Sequence, residues 1–395
     1  MQLGAARLQV IGFGPAALGI PVAADRAGLL DELMRDGCVF LDRRARHEWR
    51  SLDYDIPSNS AAVDFLDGLA PDGRLRAALR SPEGRALARA SDRPVPLRLA
   101  ARFLARTARE VADYTLRFNR AHTLFSTPVD HLLVDEKGLF HSRDARRRTL
   151  ALSRSAVIAV GARPLAPSDG GPWEVTSEAM LRRECDTLCA AAVREGAAIR
   201  VLGGSHSAFS AVGLLLREWG DGLRPGQIRV ETRGEVLVYR PGGPAAPAGA
   251  VATVDPDTRE INRFAGLRGE SEEIYRAVLR GAEPRVRLLR GGEGEAPAAA
   301  PRLTTAPPRL TIAATGYRAR RLPVLDADGR PLFGPGDIAV DDRGRVLDRE
   351  GRPVPGLFGL GLGHCSPRSP ASGEYPMAAV NIFHGRAAAR IVGRL

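Results

Sequence analysis

Ten residues near the N-terminus, VIGFGPAALG, restrict this chain more than any other stretch. They begin at the end of the short apolar strand LQVI and run into GIPVAADRAGLLDEL, whose apolar residues recur at helical spacing. Gly12, Gly14 and Ala17 stand at the three small positions of a strand–turn–helix. The first permits the tight turn, the second lets the backbone approach a pyrophosphate, and the third lets helix pack on strand. The free N–H groups of the helix start then favour an anion. Pro15 suits the first helical turn, where its missing N–H has no intrahelical partner. A second strand, CVFLDRR, carries Asp42 at its end, a carboxylate expected to accept from a ribose hydroxyl. Its distance from Gly14 exceeds the usual spacing of about twenty residues, and AGLLDELMRDG is read as the insertion responsible.

The pattern occurs twice. IRVLGGSHSAFSAVGLLLREW repeats strand, glycine turn and amphipathic helix, with Gly203, Ser205 and Ala208 at the small positions and Gly204, His206 and Ser207 between them. Ser205 departs from glycine: a side chain there obstructs a pyrophosphate or donates to it. His206, at the helix start, meets phosphate or solvent. In the following strand, IRVETR, Arg233 stands where a cation would meet the 2′-phosphate of NADP, and Arg240 is the alternative.

Two such openings predict an α/β fold of two Rossmann-like dinucleotide-binding domains, the second inserted in the first. The expected boundaries are 1–170 for the first part of an FAD-binding domain, 171–308 for the inserted NADP-binding-like domain, and 309–395 for the return and a C-terminal helix over Met377–Val392. SAVIAVGARP and RLTIAATGYRARRLP read as buried strands, the second ending near Thr315 and Gly316. Helices are expected near Leu75–Arg80, Pro82–Ala90 and Leu97–Val111.

Composition removes several function classes. No apolar run is long enough to cross a bilayer, and the N-terminus lacks the pattern of a secretory signal, so a cytoplasmic protein without membrane contact is expected. The net charge of +11 comes from arginines spread along the chain, with Lys137 the single lysine, so no nucleic-acid partner is expected. Four cysteines in 395 residues make no disulfide framework. Cys185 and Cys189 share one face of an apparent helix and read as structural thiols, since their spacing is not that of a CxxC redox pair.

With these residues in hand, the chain resembles the flavin-dependent N-hydroxylating monooxygenases, the ornithine and lysine N-hydroxylase group. VIGFGPAAL looks like that family's FAD fingerprint, and FLDRRARHEWR resembles its second strand, which implicates Asp42, Arg43 and Trp49 in FAD binding. GGSHSAFSA is similar to its NADPH turn, with Ser205 and His206 in place of Gly and Gln. EINRF resembles the segment near substrate and nicotinamide ribose, which maps to Asn262 and Phe264, with Arg263 replacing an acid. AATGY resembles its ATGY strand. YDIPSNSAAVDFL differs from the family's Met- and Gln-rich flavin-facing segment, and the chain is somewhat short.

The resemblance implies FAD and NADPH as cofactors and a small-molecule substrate with O2 as partners, self-association into a homo-oligomer being left open. NADPH would reduce FAD, oxygen would add at the flavin C4a, and an oxygen atom would pass to an amine. Hydrogen-bond donors are sought in Ser58, Asn59 and Ser60, in Asn262, and in GLGHCSPRS with Gly363 and His364, the last also an acid/base candidate near neutral pH. Two rivals stand beside this reading: an NAD(P)H-dependent reductase without oxygen transfer, and a flavoprotein scaffold that has lost turnover.

Overall fold

The structure is a computed structural model that describes residues 4–46, 52–165, 173–241, 260–262, 266–291, 310–334, 338–365 and 382–395. It divides into two compact units. The first comprises Met1–Asp53, Ser60–Arg163 and Ala319–Leu395, the second Tyr54–Asn59 and Pro164–Arg318. Trp49, Phe264 and Met377–Asn381 lie outside the described residues, as do nearly all of the low-complexity stretches RPGGPAAPAGA and GGEGEAPAAAPRL.

In the first unit the strand Ala6–Ile11 lies between Cys38–Leu41 and Thr149–Ile158, parallel to both. His122–Leu124 extends the sheet beyond Cys38–Leu41. Thr149–Ile158 serves two partners in succession: its first half pairs antiparallel with Phe140–Arg143, and its second half pairs parallel with Pro353–Gly359. The near-continuous apolar runs of these strands follow from burial on both faces, as parallel strands require. Gln9, buried in the strand Ala6–Ile11, is satisfied there. Its amide nitrogen donates to the Phe140 carbonyl at 2.9 Å, and its oxygen accepts from Ser142 Oγ at 2.5 Å.

Helices cover the sheet. Leu97–Thr115 turns Phe103, Leu104, Ala108 and Val111 into the core. Pro82–Ala90 starts where Ser81 Oγ accepts from the Gly84 N–H at 3.0 Å with Pro82 in the first turn. The extra residues before Asp42 form a separate short helix, Leu30–Asp36, instead of lengthening the first one. Gly37, with φ +104, ends it and feeds the strand Cys38–Leu41.

The second unit is a five-stranded, wholly parallel sheet in the order Val286–Arg290, Ile228–Thr232, Ile199–Leu202, Leu310–Ala313, Glu174–Thr176. The strand Leu310–Ala313 therefore belongs to this sheet, in register with Ile199–Leu202, and not to the returning first domain expected from 309. Return to the first unit comes at Ala319. Tyr54–Asn59, within the expected span 1–170, clusters instead with the second unit. It is held there by the Asp55 N–H on the Leu181 carbonyl at 2.9 Å, and by Arg217 Nη2 on the Asp55 carbonyl at 2.7 Å. Arg183 adds ion pairs to Asp55 at 3.3 Å and Glu218 at 2.8 Å.

In each unit one strand has its sequence-adjacent parallel partner on one side and a later strand on the other. Ala6–Ile11 holds that position in the first sheet and Ile199–Leu202 in the second. The crevice beyond the C-terminal end of such a strand is where doubly wound sheets bind ligands. Both glycine turns emerge at that point.

Candidate functional site

The two turns are built alike. Gly12 has φ +90, and a Cβ there would lie 2.5 Å from the Ala159 carbonyl oxygen. Gly203 has φ +134, and a Cβ there would lie 2.4 Å from the Ala314 carbonyl oxygen. Ala159 and Ala314 each stand two residues before a left-handed glycine, Gly161 with φ +70 and Gly316 with φ +100. The third small positions, Ala17 and Ala208, are wholly buried between helix and sheet. The same steric demand thus selects the same residues twice.

The first turn leaves room where a pyrophosphate needs it. A Cβ on Gly14 would meet only Arg44 Nη2, at 4.0 Å. Pro15 does not open the regular helix as expected. The helix runs Gly19–Arg26, and Pro15 sits in preceding turns closed by Leu18 N–H on Gly14 O at 3.2 Å and Gly19 N–H on Ala16 O at 3.0 Å. Within this unit a Cβ on Gly361 would meet Ala16 Cβ at 2.7 Å, and one on Gly363 would meet Ala319 Cβ at 2.8 Å and Gly161 O at 3.5 Å. The GLG segment therefore packs against the first glycine turn.

Asp42 departs from its expected role. Its buried carboxylate accepts from the Phe13 N–H at 2.8 Å, which clamps the glycine turn to the second strand. It also accepts from the Arg44 N–H at 2.8 Å, from Arg44 Nε at 3.0 Å and from Arg44 Nη2 at 2.8 Å. Burial works to raise this carboxyl, but the hydrogen bonds and charge of Arg44 outweigh it and hold its pKa below the ordinary carboxylate value. Both oxygens are thus engaged inside the protein, so Asp42 clamps the turn to the second strand. Arg43 is exposed, and the residue engaged with Asp42 is its neighbour Arg44. Two adjacent arginines are indistinguishable by spacing alone, so the sequence carried no signal for the choice.

His364 also departs from expectation. It is 2% exposed, hydrogen-bonded to the Ile158 backbone, and packed so closely on Gly359 that a Cβ there would lie 2.4 Å from its Nδ1. Burial pushes its pKa down to about 4, against a smaller opposing effect of the Ile158 bond. That shift favours the neutral imidazole near neutral pH.

In the second unit, Ser205 occupies the N-cap of the helix His206–Trp219 in ordinary extended backbone. It is exposed, and its side chain makes no capping hydrogen bond. Beside the tight Gly203, Gly204 is also close-packed: a Cβ there would meet Thr232 Cγ2 at 3.0 Å. Ser207 follows in the first helical turn. His206 is half-buried, and its Nδ1 has no hydrogen-bond partner among the described residues. Burial and then the charge of Arg268 push its pKa down to about 4.

Arg233 is exposed just past the strand Ile228–Thr232 and has no ion pair among the described residues. Arg240 pairs with Glu272 at 3.3 Å. Arg268, which the sequence reading passed over, lies over the Tyr239 ring at 3.9 Å.

Asn262 is buried with φ +52, its Nδ2 donating to the Val238 carbonyl at 3.0 Å and its own carbonyl accepting from the Gly266 N–H at 2.8 Å. That makes it a turn anchor. Ser58 is buried and Asn59 exposed, on the Tyr54–Asn59 strip of this same unit. Thr315 is half-buried, and Gly316 accepts from the Leu165 N–H at 3.0 Å. Both belong to the second unit, not to the first as the boundary at 309 implied.

Solved structures share this architecture over almost the whole chain. The FAD-bound cadaverine monooxygenase of Erwinia amylovora superposes with a TM-score of 0.62 at 14% identity, covering 99% of this chain and 95% of that one. The L-lysine 6-monooxygenase of Pseudomonas syringae gives 0.60 at 18%, covering 98% of each. The ornithine N-hydroxylase of Kutzneria sp. 744, solved with reduced FAD, NADP+ and L-ornithine, gives 0.59 at 16%, covering 99% and 98%. The chain has the fold of the flavin-dependent N-hydroxylating monooxygenases. In sequence it is 28% identical over 355 residues to the CMP-5′-(3-aminopropyl)phosphonate hydroxylase of Streptomyces rubellomurinus, an alignment covering 82% of this chain and 80% of that protein. No family model matches the chain. No described helix is long and apolar enough to cross a membrane.

Proposed function

We propose that the chain is an FAD- and NADPH-dependent monooxygenase of the cytoplasm that hydroxylates the amine of a small molecule with O2. The observation that carries this reading is the pair of equivalent glycine turns, Gly12–Ala17 and Gly203–Ala208, each at the switch strand of its own sheet.

The first turn suits FAD. Its backbone over Gly14 is open, its geometry is held by Asp42 through the Phe13 N–H, and Gly361 packs on Ala16 without a side chain. The second turn suits NADPH: Gly203 and Gly204 keep the backbone close to the sheet, the free Ser205 hydroxyl is a donor to the pyrophosphate, and Arg233 is a cation for the 2′-phosphate. When bound, FAD reduced by NADPH would activate O2 for oxygen-atom transfer. The chain's own task is to bind both nucleotides, orient them and exclude water.

The relative from Streptomyces rubellomurinus favours a substrate in which the amine sits on a short alkyl phosphonate carried by a nucleotide, over a free amino acid or diamine. The test is a purified protein given FAD, NADPH, O2 and, in parallel, CMP-linked 3-aminopropylphosphonate, ornithine, lysine and cadaverine. The expected result is substrate-dependent NADPH consumption with a product heavier by one oxygen atom from the nucleotide-linked amine. Failure to retain FAD overturns the whole reading. NADPH oxidation by dyes or quinones with no oxygenated product favours a reductase instead.

A further inference from the structure

Two thiols of the second unit touch each other, and nothing in the oxygen-transfer reading uses them. The helix Asp186–Arg194 is preceded by Cys185 at its N-cap, with Cys189 one turn on. Their sulfurs are 4.0 Å apart, Cys185 half-buried and Cys189 wholly buried. We propose that Cys185 and Cys189 form a redox-active dithiol that hydrogen peroxide closes to a disulfide.

The geometry permits the bond. Residues one helical turn apart have Cα atoms about 6 Å from each other, inside the range a disulfide spans. The sulfurs must approach by about 2 Å to reach bonding distance. Cys185 supplies that movement because, at φ −124 and ψ 24, it stands outside the helical backbone and its side chain is not locked against a preceding turn. The Cys189 N–H on the Cys185 carbonyl, at 3.0 Å, keeps the two residues in register meanwhile. Cys38 offers the contrast: it is fully buried, and burial pushes its thiol up.

The pair also divides the two roles that closure needs. The S–H of Cys189 hydrogen-bonds Cys185 and favours the Cys185 thiolate, and the same bond together with burial holds Cys189 protonated. Cys185, the more exposed sulfur, attacks one peroxide oxygen. An S–O bond forms, the O–O bond breaks, and the departing hydroxide takes a proton to become water. Cys189 then attacks the sulfenic sulfur of Cys185: the S–S bond forms, the S–O bond breaks, and the second hydroxide leaves as water with the Cys189 proton. Two thiols are oxidised and one peroxide is reduced to two waters. The helix that carries the pair packs beside His206–Trp219, the helix of the second glycine turn.

One tryptic peptide, Glu184–Arg194, contains both cysteines and reports the outcome alone. After peroxide treatment of the full protein, alkylation and digestion, this peptide is expected to be lighter by two hydrogen atoms and closed to alkylation until reduced by dithiothreitol. Cys189→Ser is expected to stop at a sulfenic acid on Cys185 that dimedone traps. Cys185→Ser is expected to slow oxidation of the peptide by at least about tenfold. A wild-type peptide that is alkylated twice after peroxide, or that carries added oxygen with no loss of hydrogen, overturns the proposal without depending on either variant.

Discussion

His384 donates from Nε2 to the carbonyl oxygen of Pro15 across 2.9 Å, joining positions 369 residues apart. A carbonyl only accepts, so Nε2 carries the proton, and Nδ1 is left buried with no partner among the described residues. The imidazole is wholly buried in the turn Ile382–Ala387, against Gly68, where a Cβ would lie 3.1 Å from His384 Cβ. A residue near the end of the chain thus holds the loop of the first glycine turn.

We predict that His384→Leu weakens FAD binding by about tenfold, the worth of one buried hydrogen bond, and that His384→Gln, which restores a donor, recovers most of it. Fluorescence titration of the apoprotein with FAD measures this. Equal affinities for the Leu variant and wild type would remove His384 from the site.

Gly12 and Gly14 are expected to fail differently. Gly12→Ala drives a methyl to 2.5 Å from the Ala159 oxygen at a left-handed φ, and should cost at least about 2 kcal/mol of apoprotein stability. Gly14→Ala meets only the end of Arg44, so apoprotein unfolding should be unchanged while FAD affinity falls. Denaturant unfolding and FAD titration of both variants separate the two effects.

For Asp42→Ala the expectation is a loss of about 2 kcal/mol even without FAD, because the Phe13 N–H loses its buried acceptor. An apoprotein as stable as wild type would return Asp42 to the role of a cofactor ligand alone.

Arg233→Ala should lower the preference for NADPH over NADH by about tenfold or more in kcat/KM, leaving the NADH rate nearly unchanged. Steady-state kinetics with both nucleotides decides it; an unchanged ratio would transfer the role to another cation.

His364 and His384 both have pKa values pushed by burial from 6.5 to about 4. Their native form is neutral, so the unfolded chain binds protons first as pH falls. Their contribution to stability is complete above about pH 6.5 and is lost as pH falls towards 4, by about 1.4 kcal/mol per pH unit per histidine within that window. Urea unfolding from pH 7 to 4.5 should show this slope, and His364→Phe should reduce it.

The glycine turns and their order were legible in the amino-acid sequence because they are local. Gly12, Gly14 and Ala17, and again Gly203 and Ala208, answer steric demands set within one strand–turn–helix, and apolar periodicity marks the flanking strands. Tertiary structure decided what depended on distant partners. Leu310–Ala313, with Thr315 and Gly316 after it, joined the second sheet by pairing with Ile199–Leu202, which an apolar run cannot specify. Arg217 and Arg183 hold Tyr54–Asn59 on that same unit. Arg44 rather than Arg43 reached Asp42, and that carboxylate turned inward to the Phe13 N–H. His364 went under Gly359, and the unremarked His384 reached Pro15. A side chain's spacing along the chain tells which backbone conformation it suits, whereas its chemical role follows from the groups that packing places beside it.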